Sequence, residues 1–143
     1  MNNVDRIEEV FEGYSLDTGS PHYVKFVTGL DQYPVFEEGK KYRYNPHFRN
    51  GTNANFIEGR NGNAIALRTY ERGVEEETLA CGTGATASAL AAFKKGYKSP
   101  VTIFTKGGTL LVEFKVSPSG AFSDIYLTGP AKLVFEGDLE LYG

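Results

Sequence analysis

Apolar and polar positions alternate over short stretches along most of this chain. Tyr23 to Thr28, Ala64 to Tyr70, Val101 to Thr105, Thr109 to Val116, Ile125 to Thr128 and Ala131 to Phe135 each read as a β-strand. A period of two puts the apolar side chains of such a run on one face of a pleated sheet. Turn-forming clusters separate the runs, notably Gly107-Gly108, Ser117-Pro118-Ser119-Gly120 and Gly129-Pro130. This regular spacing predicts antiparallel hairpins rather than strand-helix-strand units. Two segments break the pattern. Tyr33 to Asn45 is charged and weakly periodic, and reads as a helix or loop on the surface. Gly84 to Lys95 is rich in Ala, has small residues almost all round, and is closed by Gly96, which fits a helix C-terminus. A helix that is apolar on every face needs cover on every face. The expected fold is therefore α+β, a mostly antiparallel curled sheet or barrel wrapped around one central buried helix.

Composition narrows the class. At 143 residues the chain has the length of one globular domain, enough to bury roughly two-thirds of its unfolded surface. No repeat, low-complexity tract or linker divides it, so residues 1–143 are expected to form a single domain. Hydrophobic residues make up 41% and charged ones 23%, a balance typical of folded proteins rather than disordered ones. The formal charge of -3, with fifteen scattered basic residues, argues against a nucleic-acid partner. No apolar run approaches the ~20 residues of a bilayer span. Met1 to Val10 is charged where a signal peptide would be apolar, so no membrane and a cytoplasmic location are expected. One cysteine and two histidines give no internal disulfide and a poor donor set for a structural metal.

That single thiol, Cys81, stands directly before Gly82-Thr83-Gly84 and the predicted helix. The first turn of a helix carries unpaired N–H groups and a partial positive charge, which stabilise a thiolate and can equally hold a carboxylate. Gly82 and Gly84 admit close approach of a ligand, and Thr83 adds a hydroxyl. Upstream, Tyr70-Glu71-Arg72-Gly73 closes a strand with an acid and a base side by side. Arg72 can fork onto a carboxylate. Glu71 can serve as acid/base partner to Cys81 if the loop from Gly73 to Thr78 folds back. On local residues alone, a buried free cysteine at a helix cap and a surface Glu–Arg pair explain the same letters. Glu75-Glu76-Glu77 reads as a solvated rim.

The run RTYERGVEEETLACGTGATA, from Arg68 to Ala87, resembles the second cysteine motif of the diaminopimelate epimerase family. Thr52-Asn53-Ala54-Asn55-Phe56-Ile57-Glu58 is similar to that family's asparagine-containing strand. Gly19-Ser20-Pro21-His22 is similar to its Gly-Asn-Pro-His turn, and Tyr126 to Ala131 to its closing strand pair. The resemblance implies the C-terminal lobe of a two-lobed, cofactor-independent amino-acid epimerase that interconverts LL- and meso-diaminopimelate. An N-terminal lobe would then be a partner, and a homodimer is possible. It further implies that Cys81, paired with Glu71, is one of two opposed acid/bases, and that His22 pairs with a second cysteine absent from this chain. Asn53 and Arg72 would grip the distal end of the substrate, while Gly82 and Thr83 would cradle the proximal carboxylate. Ser20 stands where the family usually has Asn, and the loop from Gly73 to Thr78 is one residue longer than the commonest form.

Other readings stay open at this point. A proline racemase-like enzyme on the same fold usually has Pro before the Cys-Gly-Thr-Gly run, where this chain has Ala80. A non-catalytic ligand-binding module would keep the fold without needing the thiol. A cysteine hydrolase would need His22 and Cys81 within hydrogen-bond reach.

Overall fold

A computed structural model describes residues 4, 6–79 and 82–129. The strands are β1 (Glu8–Val10), β2 (Gly13–Asp17), β3 (Pro21–Phe26), β4 (Asn53–Arg60), β5 (Ala64–Glu71), β6 (Glu76–Thr78), β7 (Val101–Thr105), β8 (Gly108–Val116) and β9 (Phe122–Thr128). The helices are α1 (Val35–Arg43), preceded by a 3-10 turn at Leu30–Gln32, and α2 (Gly82–Phe93). All the strands join one sheet in the order β1-β2-β3-β4-β5-β7-β8-β9, with β6 paired to the end of β5. A bridge between Val4 and Phe122 brings the two edges of the sheet together, so it curls on itself.

The curl encloses α2, as its composition requires. Every residue from Gly84 to Ala92 is buried. The helix packs on Leu16, Val24, Ile57, Ile65, Ile103, Val112 and Phe122, which line the inner face of the sheet. It ends as its glycine suggests: Gly96 has φ +103, and the N–H groups of Gly96 and Tyr97 return to the carbonyls of Phe93 and Ala92. The residues predicted to turn do so. Thr105 pairs with Gly108 around a tight β7–β8 hairpin, and Ser117 to Gly120 link β8 to β9. The strand expected at Ala131 to Phe135 lies outside the described residues.

The expectation of hairpins without strand-helix-strand units is corrected. β3 runs parallel to β4 and β5 parallel to β7, so the sheet is mixed. A parallel neighbour requires a crossover connection. α1 makes the first crossover on the outer face, and α2 makes the second on the inner face. The segment from Tyr33 to Asn45 is thus a helix with a structural role. Val35 is buried with Leu30, Ala54, Phe56, Ala66 and Tyr70 in a second, outer core. With α1 on one side and α2 on the other, β4 is covered on both faces, and Asn53 to Ile57 are buried without alternation.

Gly39 sets how closely α1 sits on the sheet. A Cβ added there would clash with the Tyr70 Cβ, and Tyr70 is buried and cannot retreat. G39A is expected to destabilise the chain by about 2 kcal/mol, the clash outweighing the roughly 1 kcal/mol that Ala favours in a helix. Urea denaturation measures this. A G39A chain as stable as the parent would show that α1 is not seated on β5 in this way.

Candidate active site

Strand direction decides which residues meet. β3 and β4 are parallel, and β5 is antiparallel to β4, so the starts of β3 and β4 and the end of β5 fall at the same end of the sheet. The register pairs His22 with Asn53 and Ala54 with Tyr70, which puts Glu71 and Arg72 beside the start of β4. The first turn of α2 arrives at that end too. Thr18 donates to the Thr83 carbonyl at 2.8 Å, and a Cβ on Gly84 would come within 2.9 Å of Asn55 Oδ1 and 3.3 Å of the His22 ring. Only a glycine lets the helix approach this closely. Of the residues singled out in sequence, Ser20, His22, Asn53, Glu71, Arg72, Gly82 and Thr83 therefore converge. Cys81, the eighth, lies outside the described residues, as does Ala80.

His22 is the second residue of β3 and is fully buried. Its Nε2 lies 2.9 Å from Thr83 Oγ1 and 3.1 Å from Ser20 Oγ, while its Nδ1 lies 3.0 Å from Asn55 Nδ2. Burial pushes its pKa down to about 4; nearby Asp17 pulls upward and Arg72 adds to the depression. The ring is neutral near pH 7.

Asn53 and Arg72 have structural duties besides any ligand contact. Asn53 Nδ2 donates to the Pro21 carbonyl at 2.9 Å, and Asn53 Oδ1 accepts the Arg72 backbone N–H at 2.8 Å. This ties the end of β5 to the start of β3. The Arg72 guanidinium donates to the Asn50 carbonyl at 2.9 Å through Nη1 and keeps other donors for an anion. Glu71 closes β5 opposite Glu76 of β6 and is partly exposed. The loop from Gly73 to Thr78 does fold back, as a hairpin.

The acidic run at 75–77 is not a uniformly solvated rim, and two of its members are structural. Glu75 accepts from Arg43, Tyr70 and the Gly73 N–H. Burial raises its pKa, but these donors outweigh that and hold it below the usual carboxylate range. Glu77 is forked by Arg68 at 2.7 Å on both oxygens and is reached by Lys106. Its pKa is lowered first by the Arg68 bonds. The same Arg68 donates to the carbonyls of Leu30 and Tyr33. The hairpin bearing Glu71 and Arg72 is thus clamped at both ends.

Asn55 and Thr69, which lie within the quoted motifs but are given no role there, connect directly to the site. Thr69 donates to Asn55 Oδ1 at 2.9 Å, inside the closed sheet. Their sequence signal is a polar residue at an inward position of an otherwise apolar strand, which has to find a polar mate. Among the described residues, no group of three or more His, Cys, Asp or Glu is placed to hold a metal ion.

The family model for diaminopimelate epimerase matches residues 14–134. A protein of that name from Flavobacterium psychrophilum is 44% identical, the match covering 95% of this chain and 54% of the relative. One from Chlorobaculum tepidum is 46% identical over 88% of this chain and 49% of its own length. One from Archaeoglobus fulgidus is 43% identical over 92% and 44% respectively. The chain spans about half the length of these curated relatives. Two crystal structures share the fold at 21% identity. The Bacillus anthracis PhzF-family phenazine biosynthesis protein has a TM-score of 0.54 over 89% of this chain and 40% of its own. An Enterococcus faecalis PhzF-family protein has 0.53 over 79% and 39%.

Proposed function

The chain belongs to the diaminopimelate epimerase family, and from that premise we propose that residues 1–143 form the C-terminal catalytic lobe of a cytoplasmic, cofactor-independent epimerase. Its reaction interconverts LL- and meso-diaminopimelate in the supply of lysine and peptidoglycan precursors. The observation that carries this reading is the convergence of His22, Asn53, Glu71, Arg72, Gly82 and Thr83 at one end of the sheet.

In the proposed reaction the Cys81 thiolate takes the α-proton from one face of the amino acid, leaving a carbanion. A thiol from an N-terminal lobe returns a proton to the opposite face, so each turnover moves one proton out and one in. Glu71 accepts the Cys81 proton beforehand. The N–H groups opening α2 at Gly82 and Thr83 hold the α-carboxylate, where the helix dipole favours negative charge. They also stabilise the charge that develops on that carboxylate as the carbanion forms. Arg72 and Asn53 take the distal carboxylate and amino groups, Asn53 also fixing the Arg72 backbone, and Ser20 adds a substrate contact beside them. His22 pairs with the opposing thiol on its Nε2 side, where the Ser20 and Thr83 hydroxyls also lie.

Inversion requires two opposed thiols and this chain has one cysteine, and proton removal at either face requires the water-poor cleft that a second lobe would close. Diaminopimelate incubated in D2O with the chain alone is expected to gain no α-deuterium, measured by mass spectrometry. Addition of the part of the Flavobacterium relative that this chain does not match should restore both exchange and epimerisation. Exchange by the chain alone would refute the half-site reading; a folded, inactive complex would refute the epimerase reading.

A further inference from the structure

The hydrogen bonds around Asn55 impose a direction on the histidine beside it. Asn55 Nδ2 lies 3.1 Å from the Tyr23 carbonyl, a group that can only accept. The amide nitrogen must therefore face Tyr23, and the Asn55 oxygen must face Thr69, whose hydroxyl donates at 2.9 Å. The second Asn55 N–H points at His22 Nδ1, 3.0 Å away, so that nitrogen carries a lone pair. In a neutral ring the proton is then on Nε2, which faces the oxygens of Thr83 and Ser20. Asn55, Thr69 and His22 are buried at 0%, 1% and 0% exposure, so no solvent competes for these bonds.

We propose that Asn55 and Thr69 are positioning residues that lock His22 in its Nε2–H form, so that its single Nε2–H donates, shared between Thr83 at 2.9 Å and Ser20 at 3.1 Å, and the nitrogen does not act as a proton acceptor. The placement of this device in the catalytic cycle rests on the epimerase reading; the tautomer does not. As a donor, His22 holds the first turn of α2 at the β3 end of the sheet. The charged groups facing the ring are Asp17 from β2 and Arg72 beyond β5. Their opposite signs leave the choice of ring nitrogen to Asn55.

The test is the long-range 1H–15N correlation spectrum of the 15N-labelled 143-residue chain, which distinguishes the two neutral tautomers and the charged ring by their nitrogen shifts. At about pH 7 the wild type is expected to show a protonated Nε2 and an unprotonated Nδ1. In N55D the new carboxylate faces Nδ1, and the proton should move to that nitrogen or the ring should become charged. T69V, which removes the donor to Asn55 Oδ1, should give a mixture of tautomers. A wild-type Nδ1–H ring or an imidazolium at this pH would overturn the proposal, as would an unchanged pattern in a folded N55D chain. If neither variant folds, the wild-type spectrum still decides. Because no substrate is present, failure here is separable from failure of the α-exchange experiment.

Discussion

A C81S variant, assayed for epimerisation in the presence of the part of the Flavobacterium relative that this chain does not match, is expected to lose roughly a thousandfold in kcat with little change in KM. A positioned acid or base contributes typically 10²- to 10⁴-fold. Serine keeps the size and the hydrogen bond of cysteine, but an alcohol yields its proton far less readily than a thiol, whose unperturbed pKa is about 8.5. Binding should survive, because the groups proposed to hold substrate are Gly82, Thr83, Arg72 and Asn53 rather than the thiol. An isotope-washout assay sharpens the result. If Cys81 works on one face only, C81S should still catalyse solvent exchange at the α-carbon of the stereoisomer whose proton faces the other lobe. Wild-type kcat in the folded C81S complex would end the case for a proton-transferring Cys81.

Acidification is expected to destabilise the chain well before its carboxylates protonate, and His22 is the reason. Its folded pKa is lowered to about 4 by burial, against roughly 6.5 in an unfolded chain. Above pH 6.5 both states are neutral and the group contributes no slope. Below it the unfolded state takes up a proton that the folded state refuses, so stability falls with pH until the folded pKa is reached. At about 1.4 kcal/mol per unit, the whole window amounts to about 3.5 kcal/mol. Glu75 and Glu77 have the opposite history: their pKa values are depressed in the fold. Their stabilisation is complete above the ordinary Glu range and disappears only as pH falls through the lower folded values. The interval from about pH 6.5 to pH 5 therefore isolates the histidine. Urea denaturation across that interval should show a steady loss in the wild type and a nearly flat line in H22N. A flat wild-type line would show that the ring is not buried as described.

What the letters of the chain revealed depended on whether the physics was local. α2 was legible because a run of Ala and Gly, apolar on every side, can be stable only when enclosed. Strands such as β7 and β8 were legible from alternation and their glycine turn. The direction of pairing was not, since alternation says which face a residue takes and nothing of whether a neighbour runs parallel. β4 escaped the pattern search because its inward positions include Asn53 and Asn55, and its outward ones, Ala54 and Phe56, are covered by α1. β2 gives too short a signal to stand out, since its alternation, Tyr14 and Leu16 against Ser15 and Asp17, lasts only five residues. The site residues were recovered largely through the resemblance in their motifs. Asn55 stood among those motifs without a role, because its partners Thr69 and His22 come from other strands and meet it only in the folded sheet.

The place of α2 inside the curl also gives an expected order of events as the chain folds, which φ-values across α2 and the Val4–Phe122 bridge would check. β7 finds its parallel seat on β5 only after the intervening chain has crossed the concave face, and that chain is α2 itself. β8 and β9 then add by hairpins, and Phe122 reaches Val4 last, drawing the ends of the sheet around the helix. A helix arriving after this closure would have to thread a finished ring, which protein chains essentially never do. The early, entropically costly event is therefore the docking of α2 across β3, β4 and β5. That step brings Thr83 to His22. The molecule has to assemble the core of its candidate site before it can close its own sheet.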